Sequence, residues 1–214
     1  MALLDFWKNN RDAVLGLKIE QVLSSAGDGQ LRDGSDCSRE LRQFLAEVPS
    51  ESIFRYVQHC LDSPFSNSGL VLQDLINEVG RRLEFEVEDG LYRGKKTAIG
   101  HDGIWRSGKS PSILVEVKTT DYITVSLDKI AAYKRALVES GETSSDTSIL
   151  VVVGREDTGG LEAQIRGSRY AWEMRLISAD RLSNLLRIKE EVECGHYRRA
   201  DQGATATIRV HEDR

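Results

Sequence analysis

Gly100-His101-Asp102-Gly103-Ile104-Trp105-Arg106-Ser107-Gly108-Lys109-Ser110-Pro111-Ser112-Ile113-Leu114-Val115-Glu116-Val117-Lys118-Thr119-Thr120 is the stretch that decides the fold. It contains a strand-like piece carrying Asp102, a Gly/Ser/Pro turn, and a second strand from Ile113 to Thr119. In a strand, side chains two apart share a face, so Glu116 and Lys118 point the same way among Leu114, Val115 and Val117. A carboxylate and an ammonium in an apolar strand cost free energy unless they are paired. Asp102, arriving from the neighbouring strand, makes two carboxylates and a lysine at one point. Such an oxygen-rich site suits a hard divalent cation, Mg²⁺ or Mn²⁺.

The rest of the chain bounds what that site can belong to. Its 214 residues suffice for one good-sized domain or a domain with a helical appendage, and 40% hydrophobic with 29% charged residues is ordinary for a globular protein. No window approaches the ~18 apolar residues of a membrane span. The start, Met1 to Asp12, has Asp5 and polar residues where a signal peptide needs a basic start and an apolar core, so a cytoplasmic protein is expected. Cys37, Cys60 and Cys194 lie far apart and match neither a disulfide framework nor a zinc spacing. The net charge of −5 argues against strong unaided affinity for DNA.

Outward from the central stretch, the pattern predicts a helix from Ser68 to Leu83 with Leu72, Leu75, Ile76 and Val79 on one side. A half-buried strand follows over Glu84 to Tyr92. Beyond Thr120, Ser126 caps a helix that Gly141 ends, and the apolar run Ser148 to Gly154 reads as a strand buried on both faces. Leu161 to Met174 reads as a helix, Arg175 to Ile177 as a short strand and Ala179 to Val192 as a last helix. Before Ser68, three helical stretches are expected: Phe6 to Leu23, a segment capped at Ser38, and Glu51 to Leu61. The expected division is a helical N-terminal segment over 1–66, a core over 67–193 and a polar tail, or the start of a further domain, over 194–214.

Asp102 followed, after thirteen intervening residues, by Glu116-x-Lys118 resembles the PD-(D/E)xK nuclease superfamily, with His101 where that motif often has Pro. The order helix, three strands, helix, buried strand, helix over 68–192 is similar to the restriction-endonuclease-like core, closest in pattern to the Holliday-junction-resolvase, RecB-like and Mrr-like branches. The resemblance implies an α/β fold, with a central mixed sheet flanked by helices and preceded by the helical N-terminal segment. It implies a Mg²⁺-dependent nuclease, an endonuclease by expectation, hydrolysing DNA phosphodiester bonds in restriction, phage defence or DNA repair. Asp102, Glu116 and the Val117 carbonyl would bind the metal, and Glu78, on the helix before the sheet, would complete its shell. Lys118 would orient or deprotonate the attacking water, or stabilise charge on the phosphate. The resemblance also implies a possible homodimer, or a partner subunit or domain that supplies DNA affinity.

Each assignment has a plainer counterpart. Asp102 between two glycines is a common turn residue, Glu116 and Lys118 suit an exposed edge strand, and Glu78 is spaced to pair with Arg81 or Arg82. Tyr133 and Lys129, one turn apart on the helix after Glu116-x-Lys118, are candidate nucleic-acid contacts, as are Thr119, Thr120, Lys95, Lys96, Arg106 and Lys109 around the site. Arg166, Arg169, Tyr170 and Trp172 form a basic-aromatic cluster expected on one helix. Two rival functions stay open: a non-catalytic module of the same fold binding nucleic acid or another subunit, and a nuclease acting on RNA.

Overall fold

A computed structural model describes residues 3–92, 99–108, 111–119, 126–154 and 159–206, with side chains through residue 194. Five strands form one open mixed sheet: β1 (Glu86–Asp89), β2 (Gly103–Arg106), β3 (Ile113–Lys118), β4 (Ser148–Val153) and β5 (Met174–Ser178), in that spatial order. β1, β2 and β3 form an antiparallel meander, and β4 and β5 add on in parallel. The two parallel pairings need crossovers, supplied by α7 (Leu127–Glu139) and α8 (Gly159–Arg166). The expected α/β class, and the order of elements from Ser68 onward, are present.

The sheet is covered on both faces. Ile104, Leu114, Ile149, Val151 and Val153 point to the side of α7 and α8, where they meet Leu127, Ile130, Leu137, Leu161 and Ile165. Trp105, Val115, Val117 and Val152 point to the opposite side, toward α6 (Ser68–Arg82) and α9 (Ala179–Ala206). β4 therefore contributes apolar side chains to both layers, as its unbroken apolar run requires.

The N-terminal helices are α1 (Leu3–Asn9), α2 (Arg11–Leu15), α3 (Ile19–Ser25), α4 (Asp36–Glu47) and α5 (Ser50–Asp62). They pack on the outer side of α6 and share its core cluster through Trp7, Phe44, Tyr56 and Val57. Every residue of α6 from Val71 to Gly80 is buried, because the helix has the sheet on one side and this bundle on the other. One-sided burial, expected from its pattern, therefore understates it. A helix enclosed on all sides must find partners for each polar group, and Gln73, Asp74, Asn77 and Glu78 all have one.

Four expectations are corrected. The run from Phe6 to Leu23 breaks at Asn10 and at Gly16 into three short helices, both poor helix residues. Ser35, not Ser38, caps α4, its Oγ accepting the Ser38 N–H at 3.2 Å. α8 stops at Arg166, where Gly167 and Ser168 follow, so Arg169, Tyr170 and Trp172 stand in a turn before β5. α9 runs on through the polar residues after Val192, because Glu, Arg, Ala and Gln hold a helix without needing a buried face. Among the described residues no helix is long and apolar enough to cross a membrane.

Gly90 sets the end of the β1–β2 ribbon. Its N–H donates to the Asp102 carbonyl at 3.1 Å, and a Cβ there would lie 1.9 Å from the His101 carbonyl oxygen. Backbone cannot give way as a side-chain tip can. Gly90→Ala is expected to cost about 1–3 kcal/mol in urea denaturation, through displacement of the segment that carries Asp102.

Candidate active site

β3 brings the site together. Its pleat puts Glu116 and Lys118 on the α7 side with Leu114, and Val117 on the other. Asp102 stands just before β2. Its backbone N–H donates to the Val115 carbonyl at 3.1 Å, and its Oδ2 accepts the Val117 N–H at 2.6 Å. The Asp102 carboxylate therefore sits on the residue between Glu116 and Lys118. Lys118 Nζ donates to Glu116 Oε1. Glu116 is 7% exposed, whereas the Lys118 side chain keeps 30% of its surface in solvent.

The backbone supplies a further oxygen. The Val115 carbonyl and the Val117 N–H both face β2, while the Lys118 carbonyl faces β4 and accepts from Gly154 N–H at 2.9 Å. A residue in a strand turns its N–H and C=O to the same neighbour, so the Val117 carbonyl lies on the β2 edge with the Asp102 carboxylate. Two carboxylates and this carbonyl form an all-oxygen donor set of the kind that fits a hard divalent cation. Among the described residues no three Asp, Glu, His or Cys side chains group closely enough to hold a metal between them.

The charges respond to one another. Burial, then the neighbouring Glu116, push the Asp102 carboxyl up to about 6, against the pull of the Val117 N–H and Lys118. For Lys118 burial is the largest single influence and acts downward. Glu116, Asp102 and Tyr133 together outweigh it, and the ammonium is held above its ordinary value. Lys118 is therefore a cation here. Burial lowers His101, whose Nδ1 is buried without a hydrogen-bond partner.

Glu78 is not brought into this group. It belongs to the layer on the other face of the sheet, where Oε1 accepts from Arg82 Nε at 2.9 Å and Oε2 lies 3.7 Å from Arg81 Nη1. Arg82 also donates to the carbonyls of Leu45 and Val48 at the end of α4, each at 2.7 Å. This is the pairing that the spacing to Arg81 and Arg82 allows. α6 reaches the site instead through Gln73 and Asn77, whose amides donate to the Asp102 carbonyl at 3.1 and 2.9 Å. The sequence reading passed over both. Their signal was two amides one turn apart among the apolar residues of this helix.

The outer candidates divide. Tyr133 lies against Gly100, where a Cβ would come 3.3 Å from its hydroxyl, and Lys129 Nζ sits 5.8 Å from the Tyr133 ring centre. Arg106 pairs with Glu88 at 2.9 Å. Arg166 pairs with Glu162, and Arg169 is held by Asp128 at 2.7 Å, with Tyr170 hydroxyl on the same carboxylate oxygen. Lys95, Lys96, Lys109 and Thr120 lie outside the described residues. Burial pushes the Cys37 thiol up to about 11 and the Cys60 thiol up to about 12, as suits inert core cysteines.

No protein-family model matches the chain, and neither a curated protein nor a solved structure matches it.

Two measurements check this geometry. A carboxyl raised above its unfolded value stabilises the fold below about pH 3.8, and that stability is lost as pH rises through about 6. Asp102→Asn, which keeps an acceptor for Val117, is therefore expected to unfold at higher urea than the wild type at pH 8, with the difference gone near pH 4. Glu78→Gln is expected to lower stability by about 1–3 kcal/mol while leaving the Mn²⁺-induced shift in melting temperature unchanged.

Proposed function

We propose that the chain is a metal-dependent nuclease of the PD-(D/E)xK kind, hydrolysing DNA phosphodiester bonds. The observation that carries the reading is the hydrogen bond from the Val117 N–H to the Asp102 carboxylate, which gathers Asp102, Glu116 and Lys118 at one edge of β3. The strand order and the helix-flanked mixed sheet are compatible with the restriction-endonuclease-like core that the sequence resemblance implies.

In this reading Asp102, Glu116 and the Val117 carbonyl hold one or two Mg²⁺ or Mn²⁺ ions. When bound, such ions acidify a water and neutralise charge on the phosphate. Lys118 contributes as a cation. Its ammonium is paired with Glu116, and in this role it would offset negative charge developing on the phosphate oxygens. Gln73, Asn77 and Gly90 act at one remove, fixing the Asp102 peptide so that its carboxylate stays on the β3 edge. Glu78 has no part in this assignment.

A net charge of −5 means that affinity for DNA comes from local basic surface, a second copy or a partner subunit. One observation favours the rival reading, a non-catalytic nucleic-acid or subunit-binding module: the Lys118–Glu116 pair satisfies both charges by itself. The choice is tested by nicking of supercoiled plasmid with Mg²⁺ or Mn²⁺. The wild type is expected to nick, and Asp102→Ala and Lys118→Ala to lose at least a hundredfold in rate. A folded wild type that leaves plasmid intact would support the binding module. Nicking retained in both variants would remove the site.

A further inference from the structure

The cluster of arginines and aromatics expected on one helix is divided by the turn after α8. Arg169 and Tyr170 are engaged by Asp128. Trp172 turns away from them and is 89% exposed, whereas Trp7 and Trp105 are 3% and 1% exposed. It lines a groove of about 400 Å³ beside β5, the strand at the far edge of the sheet from β1. Arg166, Arg175, Arg181, Glu162 and Leu176 contribute to its walls.

Among the described residues, three guanidinium groups face one carboxylate in this groove. Glu162 pairs with Arg166. Arg175 Nη1 instead donates to three backbone carbonyls, those of Ala171 at 3.1 Å, Trp172 at 3.2 Å and Met174 at 2.9 Å. These bonds leave its charge uncancelled and fix the turn that presents Trp172. Arg181, in the first turn of α9, has no carboxylate partner among the described residues. An exposed indole beside surplus guanidinium charge, on a chain that is acidic overall, matches a ligand that is both flat and anionic. An acidic peptide would satisfy the arginines and leave the indole face bare.

We infer that this groove binds single-stranded nucleic acid, with a base stacked on Trp172 and the flanking phosphates on Arg175 and Arg181. The site rests on the nuclease reading for its purpose, and on its own geometry for its ligand. Ser178, which ends β5, is in register with Val153, and Val153 with Lys118. At ~4.8 Å between strands, β5 lies about 10 Å from β3; Arg181 stands at the Lys118 end of the sheet, and Trp172, before Met174, at the opposite end, so the groove follows the length of β5.

The test uses the full chain carrying Asp102→Ala, in EDTA, with end-labelled short oligothymidylate as the probe. Binding is followed by anisotropy and by quenching of tryptophan emission, to which Trp172 is the accessible contributor. Oligothymidylate is expected to bind and to quench. Trp172→Ala is expected to weaken binding about tenfold, and Arg181→Ala to weaken it with a shallower salt dependence. Both residues are at the surface, so the fold survives the changes. Unquenched emission, unchanged affinity in Trp172→Ala, or tighter binding of polyglutamate than of the oligonucleotide would each overturn the inference. Strand binding without plasmid nicking by the wild type keeps the groove and removes the nuclease reading. Nicking without quenching does the reverse.

Discussion

The hydrogen bond between the Val117 N–H and the Asp102 carboxylate is the constraint on which the candidate site depends. In an ordinary antiparallel ladder that N–H would go to a backbone carbonyl of β2. A side chain takes it instead, and the β2–β3 pair opens at the point where Glu116 and Lys118 emerge. The same bond moderates the cost of an acid beside Glu116, since it pulls the Asp102 carboxyl down while burial and Glu116 push it up. Everything that steadies the Asp102 peptide, from Gly90 just after β1 to Gln73 and Asn77 on α6, acts to hold that bond in place.

How much of this the sequence disclosed depends on the kind of element. On a strand the two-residue period leaves no freedom, so Glu116 and Lys118 had to share a face once β3 was recognised. The turn before β2 put Asp102 at the adjacent strand end for the same reason. A helix gives a direction but not a layer. Glu78 lies among apolar residues, as a metal ligand would, yet α6 is enclosed by the sheet and by α4 and α5, and its polar groups are shared between both sides. Which side receives Glu78 is decided by Arg82, whose guanidinium also caps the carbonyls at the end of α4. That contact joins residues more than thirty positions apart, and no local pattern carries it. The same limit applied to Trp172: one glycine after Arg166 turned an expected helical face into a turn and gave the indole different neighbours.

The N-terminal helices are similarly more than an appendage. Arg42 on α4 pairs with the fully buried Asp74 at 2.9 Å and lies 3.4 Å from Asp89 at the end of β1. Tyr92 hydroxyl bonds the other oxygen of Asp74, and Arg81 joins Asp89 at 2.6 Å. Burial still dominates at Asp74, pushing its carboxyl up to about 6. Without α4 this network would lose Arg42, and a buried carboxylate deprived of its counter-ion is strongly destabilising. The helices before Ser68 and the sheet beyond thus share one core, with α6 as the common wall.

The raised Asp102 carboxyl has a consequence for how the chain drifts. Asp102→Asn would remove a like-charge neighbour of Glu116 while keeping an acceptor for the Val117 N–H, and so relieve the fold at neutral pH. Under a demand for stability alone the amide would be preferred there, so the acid at Asp102 is held at a cost to the fold.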